Sequence, residues 1–184
     1  MPIQKTTPED IIRSSIRVFR KKGYYRTNMS DLAKETGLTK GAFYHHFNNK
    51  EEVMRKALQA TAGWFNKKVF SIAYDERQTP KERLHLMAHI TFEAFTKEAG
   101  GCFFANTILE TAHVEDTFLG EVNQFFEDWE KALKQVFQQH YAETELEELT
   151  QQTIAEIEGS IILMQLHKNT DYLQQALNRI IKRL

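Results

Sequence analysis

Apolar residues recur along this chain at helical intervals, and no strand-like alternation is sustained. Met29, Leu32, Ala33 and Thr36 stand at i, i+3, i+4 and i+7, the buried stripe of a short helix. Gly37 follows at once, where a residue without Cβ lets the chain turn left-handed and reverse. A second short helix is predicted from about Thr39, a hydroxyl cap, with Phe43 and Phe47 at i and i+4 as its apolar anchor. Upstream, Thr7 and Pro8 open a helix through Ile12, Ile16 and Phe19 that Lys21, Lys22 and Gly23 close. Downstream, Asn49-Lys50-Glu51-Glu52 has the pattern of a capping box, and the helix it opens meets no breaker until about Phe70.

The rest is helical by the same criterion. Pro80 opens a segment bearing Leu84, Met87, Phe92 and Phe95, which Ala99-Gly100-Gly101 ends. A shorter helix is expected from Cys102 to about His113, and a long one from Thr117 to Tyr141 with Val122, Phe125, Phe126, Trp129, Leu133, Val136 and Phe137 on a broad apolar face. Thr144 with Glu147 marks a further start, and Thr170 the cap of a last helix. Nine helices and no strands make an all-α fold: a three-helix DNA-binding domain with a helix-turn-helix over residues 1–50, then a larger helical domain over 51–184.

Charge sharpens this division. Residues 1–55 hold eleven Lys or Arg against six Asp or Glu, net +5, while the remainder holds thirteen against nineteen, net −6. A basic head on an acidic body is the footprint of a protein that meets nucleic acid with one end. The first residues form no signal peptide and no apolar run nears the ~20 residues that span a bilayer, so a cytoplasmic protein without membrane contact is expected. The single cysteine, Cys102, excludes an intrachain disulfide or a multi-cysteine zinc site.

The chemistry concentrates in residues 27–50. Turning about 100° per residue from the Phe43 and Phe47 anchor places Gly41 and His45 on the outward side, flanked by Ala42 and Tyr44. Lys40, Gly41 and Ala42 keep that face slim enough for a major groove, and Tyr44, His45 and His46 offer polar tips to phosphate oxygens. Lys50, in the first turn of a helix whose dipole disfavours a cation, points to an anionic partner.

From Gly23-Tyr24 to Glu51-Glu52 the segment resembles the DNA-binding domain of TetR-type (tetracycline-repressor-like) bacterial transcriptional regulators. The resemblance is carried by Gly23 and Tyr24, Thr27, Leu32 and Ala33, Gly37 and Leu38, Lys40 and Gly41, Phe43 and Tyr44, His46 and Phe47, and Lys50. It implies that Thr39, Lys40, Gly41 and Ala42 lie nearest the bases of double-stranded operator DNA, while Thr27, Tyr44, His45, His46 and Lys50 hold phosphates. It also implies a homodimer and a cavity in the C-terminal domain whose small-molecule effector alters DNA affinity.

By themselves the rings of the middle helices read as core. With the resemblance, Trp64, Phe92, Phe95, Cys102, Phe103, Asn106, Phe125, Phe126 and Trp129 become candidates to line a pocket for a hydrophobic or aromatic effector. Cys102, after two glycines, resembles the Gly-Cys of those TetR-type members that respond to electrophiles or oxidants; the alternative is a small buried hydrophobe. Ile154, Ile157, Gly159 and Ile161 on one helix and Leu173, Leu177 and Ile180 on the next are expected to pair with their symmetry mates as a four-helix bundle; the alternative is that they finish a monomer's core. His85 and His89 at i, i+4 make no metal site without further ligands, and no cofactor is expected. Serine elbow, phosphate-cradling loop and paired catalytic carboxylates are missing, which argues against an enzyme. The function expected is a repressor released from a palindromic operator by its effector. In the alternative, the C-terminal domain docks a protein partner or senses oxidants through Cys102.

Overall fold

The computed structural model describes residues 7–97 and 100–184, and Ala99 and the N-terminal segment Met1 to Thr6 lie outside them. Among the described residues there are nine α-helices, one 3-10 turn and no strand. The chain divides into two compact units, residues 1–61 with 103–122 and residues 62–102 with 123–184.

In the first unit, α1 (Pro8–Lys22) starts on a full capping box: the Asp10 N–H donates to Thr7 Oγ1 at 3.2 Å, and the Thr7 N–H donates to Asp10 at 3.3 Å. Its buried face is Ile11, Ile12, Ser15, Val18 and Phe19, with Ile16 only half-buried. The helix α2 (Met29–Thr36) has a box the periodicity did not single out, Asn28 with Asp31, and buries Met29, Leu32 and Ala33. Gly37 closes it in the left-handed conformation at φ 71°. The helix α3 (Lys40–Tyr44) is shorter than its apolar pair implied, since Phe47 lies beyond its last turn. The unit also takes in the first part of α4 (Lys50–Lys68), all of α6 (Phe103–Thr111) and the first residues of α7 (Leu119–Phe137). At the start of α4 the box is split: the Glu52 N–H donates to Asn49 Oδ1 at 2.8 Å, but the Glu52 carboxylate accepts from Asn48 N–H at 2.8 Å.

In the second unit, the rest of α4 is followed by the 3-10 turn Phe70–Tyr74 and α5 (Pro80–Thr96), which has the capping box of Thr79 with Glu82. The helices α8 (Glu143–His167) and α9 (Asp171–Ile181) complete it, α9 packing on both α8 and α5. Two expected caps are displaced. The start of α8 falls one residue ahead of Thr144, with the Glu145 carboxylate accepting from Ala142 N–H at 3.0 Å. At α9 the acceptor for Asp171 N–H is Asn169 Oδ1 at 2.8 Å, and the Thr170 side chain makes no cap bond. At α9 a neighbouring side chain takes the open amide, and at α8 the helix starts earlier, neither of which spacing alone reveals.

The core of this unit is made of rings. Phe65 stands edge-on to Phe125 with centroids 5.3 Å apart, Phe70 stacks on Trp129 at 6.3 Å, and Phe95 lies 5.9 Å from Phe65. Ile154, Ile157, Ile161, Leu173, Leu177 and Ile180 are all buried within the single chain. Those stripes are covered within the single chain. Gly159 is half-buried, and the apolar residues that α8 leaves outside are Ile162, 58% exposed, Leu163, and Leu166, 69% exposed.

Candidate nucleic-acid interface

The outward surface of α3 follows from how the helix is anchored. Phe43 is 0% exposed and Phe47 is buried beside it, their centroids 5.7 Å apart, so the two rings are driven inward by the loss of apolar surface from water. Thr39 caps the helix by accepting from Ala42 N–H at 3.2 Å. On the other side Lys40, Gly41, Tyr44, His45 and His46 are exposed and Ala42 is half-buried. Lys40 Nζ lies 6.0 Å from the Tyr44 centroid, so a cation and a phenol share one edge of the surface. A Cβ built on Gly41 would meet nothing within 4 Å. The fold itself therefore does not require a glycine at that position.

Two residues expected to hold phosphates have side chains engaged inside the unit. Thr27 is 2% exposed, and its hydroxyl donates to the Gly23 carbonyl at 2.6 Å. Lys50 donates to the Tyr24 carbonyl at 2.8 Å and lies 4.1 Å above the Tyr24 ring. Burial lowers the Lys50 pKa, opposed by the charges of Glu110 and Glu115. The Tyr24 phenol is pushed up to about 12, chiefly by burial and then by Glu115 and Glu51. Both side chains thus support the loop between α1 and α2 and leave the outward surface to α3. Nearby cations are tied down as well: Lys22 pairs with Asp31 at 2.7 Å and Arg17 with Glu35 at 3.5 Å.

Sequence reasoning missed what else holds that loop. The Tyr24 and Tyr25 N–H groups each donate at 2.8 Å to one of the two Glu110 oxygens, across some 85 residues of sequence. No local pattern announces such a bond. Gly23, at φ 79°, is required twice over, because a Cβ there would stand 2.7 Å from Glu110 Oε2.

The residues expected to line a pocket are divided between the units. Phe103 and Asn106 belong to the first; Trp64, Phe92, Phe95, Cys102, Phe125, Phe126 and Trp129 belong to the second. Phe95, Phe125 and Trp129 are buried in the ring core, Phe92 and Phe126 are half-buried, and Trp64 is exposed. Cys102 is buried, and its thiol is hydrogen-bonded to the Glu158 carboxyl. Burial pushes Glu158 up to about 7, against the pull of that bond, and its Oε1 has no partner among the described residues. His85 and His89 are exposed, and no His, Cys, Asp or Glu group among the described residues is arranged to hold a metal. No described helix is long and apolar enough to cross a membrane.

Comparison with known proteins agrees with this geometry. Residues 11–57 match the bacterial regulatory proteins of the tetR family, and residues 80–179 match the C-terminal domain of LmrA/YxaF-like transcriptional regulators. The chain is 28% identical to the HTH-type transcriptional regulator YxaF of Bacillus subtilis over 165 residues, 88% of this chain and 86% of that one. It is 24% identical over 182 residues to the repressor DhaR of a Mycobacterium, 96% of this chain and 91% of that one. A match of 40% identity to YerO of Bacillus subtilis is confined to 88 residues, 47% of this chain and 30% of that relative. A TetR transcriptional regulator from Legionella pneumophila has the same fold at TM-score 0.88 over 100% of both chains, with 19% identity. The helix-turn-helix, the all-helical architecture and both family matches agree, and the chain belongs to the tetR family of DNA-binding bacterial transcriptional regulators, which are not enzymes.

Proposed function

We propose that the protein is a homodimeric repressor released from a palindromic operator by a small hydrophobic or aromatic effector. Residues 1–50 serve as the reading domain, and 51–184 carry the regulation. The observation that carries this is the outward surface of α3, where the exposed Gly41, in the first turn, has no packing reason to be a glycine. Its slimness fits a demand made by something outside the chain. Thr39, Lys40, Gly41 and Ala42 face base edges, and Tyr44, His45 and His46 face phosphates. Thr27 and Lys50 contribute by holding the loop that orients α3. Repression, rather than activation, follows the relative DhaR, which is named a repressor.

With the inner stripes of α8 and α9 consumed by the monomer, the second copy docks on the exposed Ile162, Leu163 and Leu166, next to Gly159, where a Cβ would meet nothing within 4 Å. Two heads then read half-sites ~34–36 Å apart, or a multiple of that. The effector's place is among the rings of the second unit, and a coupling of ~1–3 kcal/mol between the two sites changes operator affinity ~5–150-fold. Selection of bound sites from genomic DNA tests the whole scheme: paired, inverted half-sites are expected, and an unpaired motif or no enrichment would overturn it.

A further inference from the structure

The first unit contains a cleft of about 250 Å³ between the end of α1, Met54 on α4 and one face of α6. Its floor is apolar and buried, formed by Phe19, Met54 and Phe103. Along its rim runs the basic end of α1, Arg20-Lys21-Lys22, with Lys21 and Lys22 exposed. Gly23, Tyr24 and Glu110 complete the lining. At this wall the N–H of Tyr24, which lines the cleft, and that of Tyr25, the next residue, both donate to the single carboxylate of Glu110. Consecutive backbone N–H groups that converge in this way are a receptor for an anion. In this structure the anion is supplied internally, by Glu110.

We infer that this cleft is a binding site for a small organic carboxylate with an apolar body, which displaces Glu110 from the Tyr24 and Tyr25 amides. The exchange replaces one carboxylate by another on the same two donors, so those bonds nearly cancel. What favours the ligand is the remainder: its apolar part covers Phe19, Met54 and Phe103, and its charge lies near the exposed Lys21. The volume is below the ~300–1,000 Å³ of a drug-sized site and suits a single ring. Glu110, once released, no longer ties α6 to the loop before α2, so occupancy loosens the support of the helix-turn-helix. This site is distinct from the ring core of the second unit. Its effect on operator affinity rests on the proposed function, but binding itself does not.

Benzoate is the probe, with benzamide as its uncharged counterpart, and the readout is the amide NMR signals of Tyr24 and Tyr25 in the full chain. Benzoate should shift both signals and benzamide should not. Glu110→Gln and Glu110→Ala should each bind benzoate more tightly than the parent, the alanine variant by about tenfold, because the internal competitor is weakened or gone. Lys21→Glu, an exposed change, should weaken binding about fivefold while leaving the fold intact. Benzoate should also restore part of the melting temperature that Glu110→Ala loses, where chloride at equal ionic strength does not. Unmoved Tyr24 and Tyr25 amides in the parent and in Glu110→Gln, or equal responses to benzoate and benzamide, would overturn the site. Amides that shift in a protein that binds no DNA would leave the site standing and remove the proposed function instead.

Discussion

In the first unit side chains reach back to the backbone: Thr7 and Asp10, Asn28 and Asp31, Thr39, and above all Glu110 and Lys50, which hold the N–H and C=O groups of one loop. The core of the second unit is rings against rings, with Phe65, Phe70, Phe95, Phe125 and Trp129 closing on one another. Hydrogen bonds are directional and set the orientation of short elements, whereas apolar burial is large and indifferent to small rotations. On the proposed function α3 needs the first kind of support, because a few degrees there decide which groups meet a base edge. The larger second unit needs the second, since its stability has to come from area.

The contrast is broken most strongly by removing a ring. Phe125→Ala should cost about 3–5 kcal/mol, the range for a buried aromatic, and lower the melting temperature measured by circular dichroism. Acidity acts on the second unit almost as strongly. The native Glu158 carboxyl keeps its proton to about 7, whereas the unfolded one releases it near 4.5. Its stabilisation is therefore complete below pH 4.5 and is lost as the pH rises to about 7, a change on the order of 3 kcal/mol. Glu158→Gln should flatten that part of the stability profile in urea titrations, and an unchanged slope would count against the assignment.

Smaller effects sharpen the description of the first unit. Gly23→Ala places a Cβ against Glu110 in a backbone conformation that suits glycine, and a loss of about 1–3 kcal/mol is expected, with faster hydrogen exchange at the Tyr24 and Tyr25 amides. Asn28→Ala removes one cap and should cost about 1 kcal/mol, seen as reduced protection within α2. Lys40→Ala should change stability by no more than about 0.5 kcal/mol. Its effect should appear instead as altered preference among selected DNA sites, and uniform weakening on every sequence would place Lys40 on a phosphate.

The helix-turn-helix was legible because each of its signals is local. A stripe at helical period, a glycine in the turn, a hydroxyl cap and two rings at i, i+4 lie within 24 residues, and each implies its own geometry. The cap of α8 falls at Ala142, two residues before Thr144, and at Thr170 the open amide bonds Asn169 instead, since several polar side chains compete and only the folded chain shows which arrives. Thr27 and Lys50 carried the right residue types for phosphate, yet their polar atoms turn inward to serve the loop.

From residue order alone followed the all-helical class, the helix-turn-helix with its outward α3 surface and the basic end on an acidic body, because periodicity, caps and charge are written in neighbouring positions. Three-dimensional packing decided which apolar stripes of α8 and α9 close on the chain itself, where the nine pocket candidates lie, and that Glu110 grips a loop some 85 residues away. An apolar stripe specifies that it will be covered without specifying by what, and a carboxylate distant in sequence meets its amides only after the helices have packed.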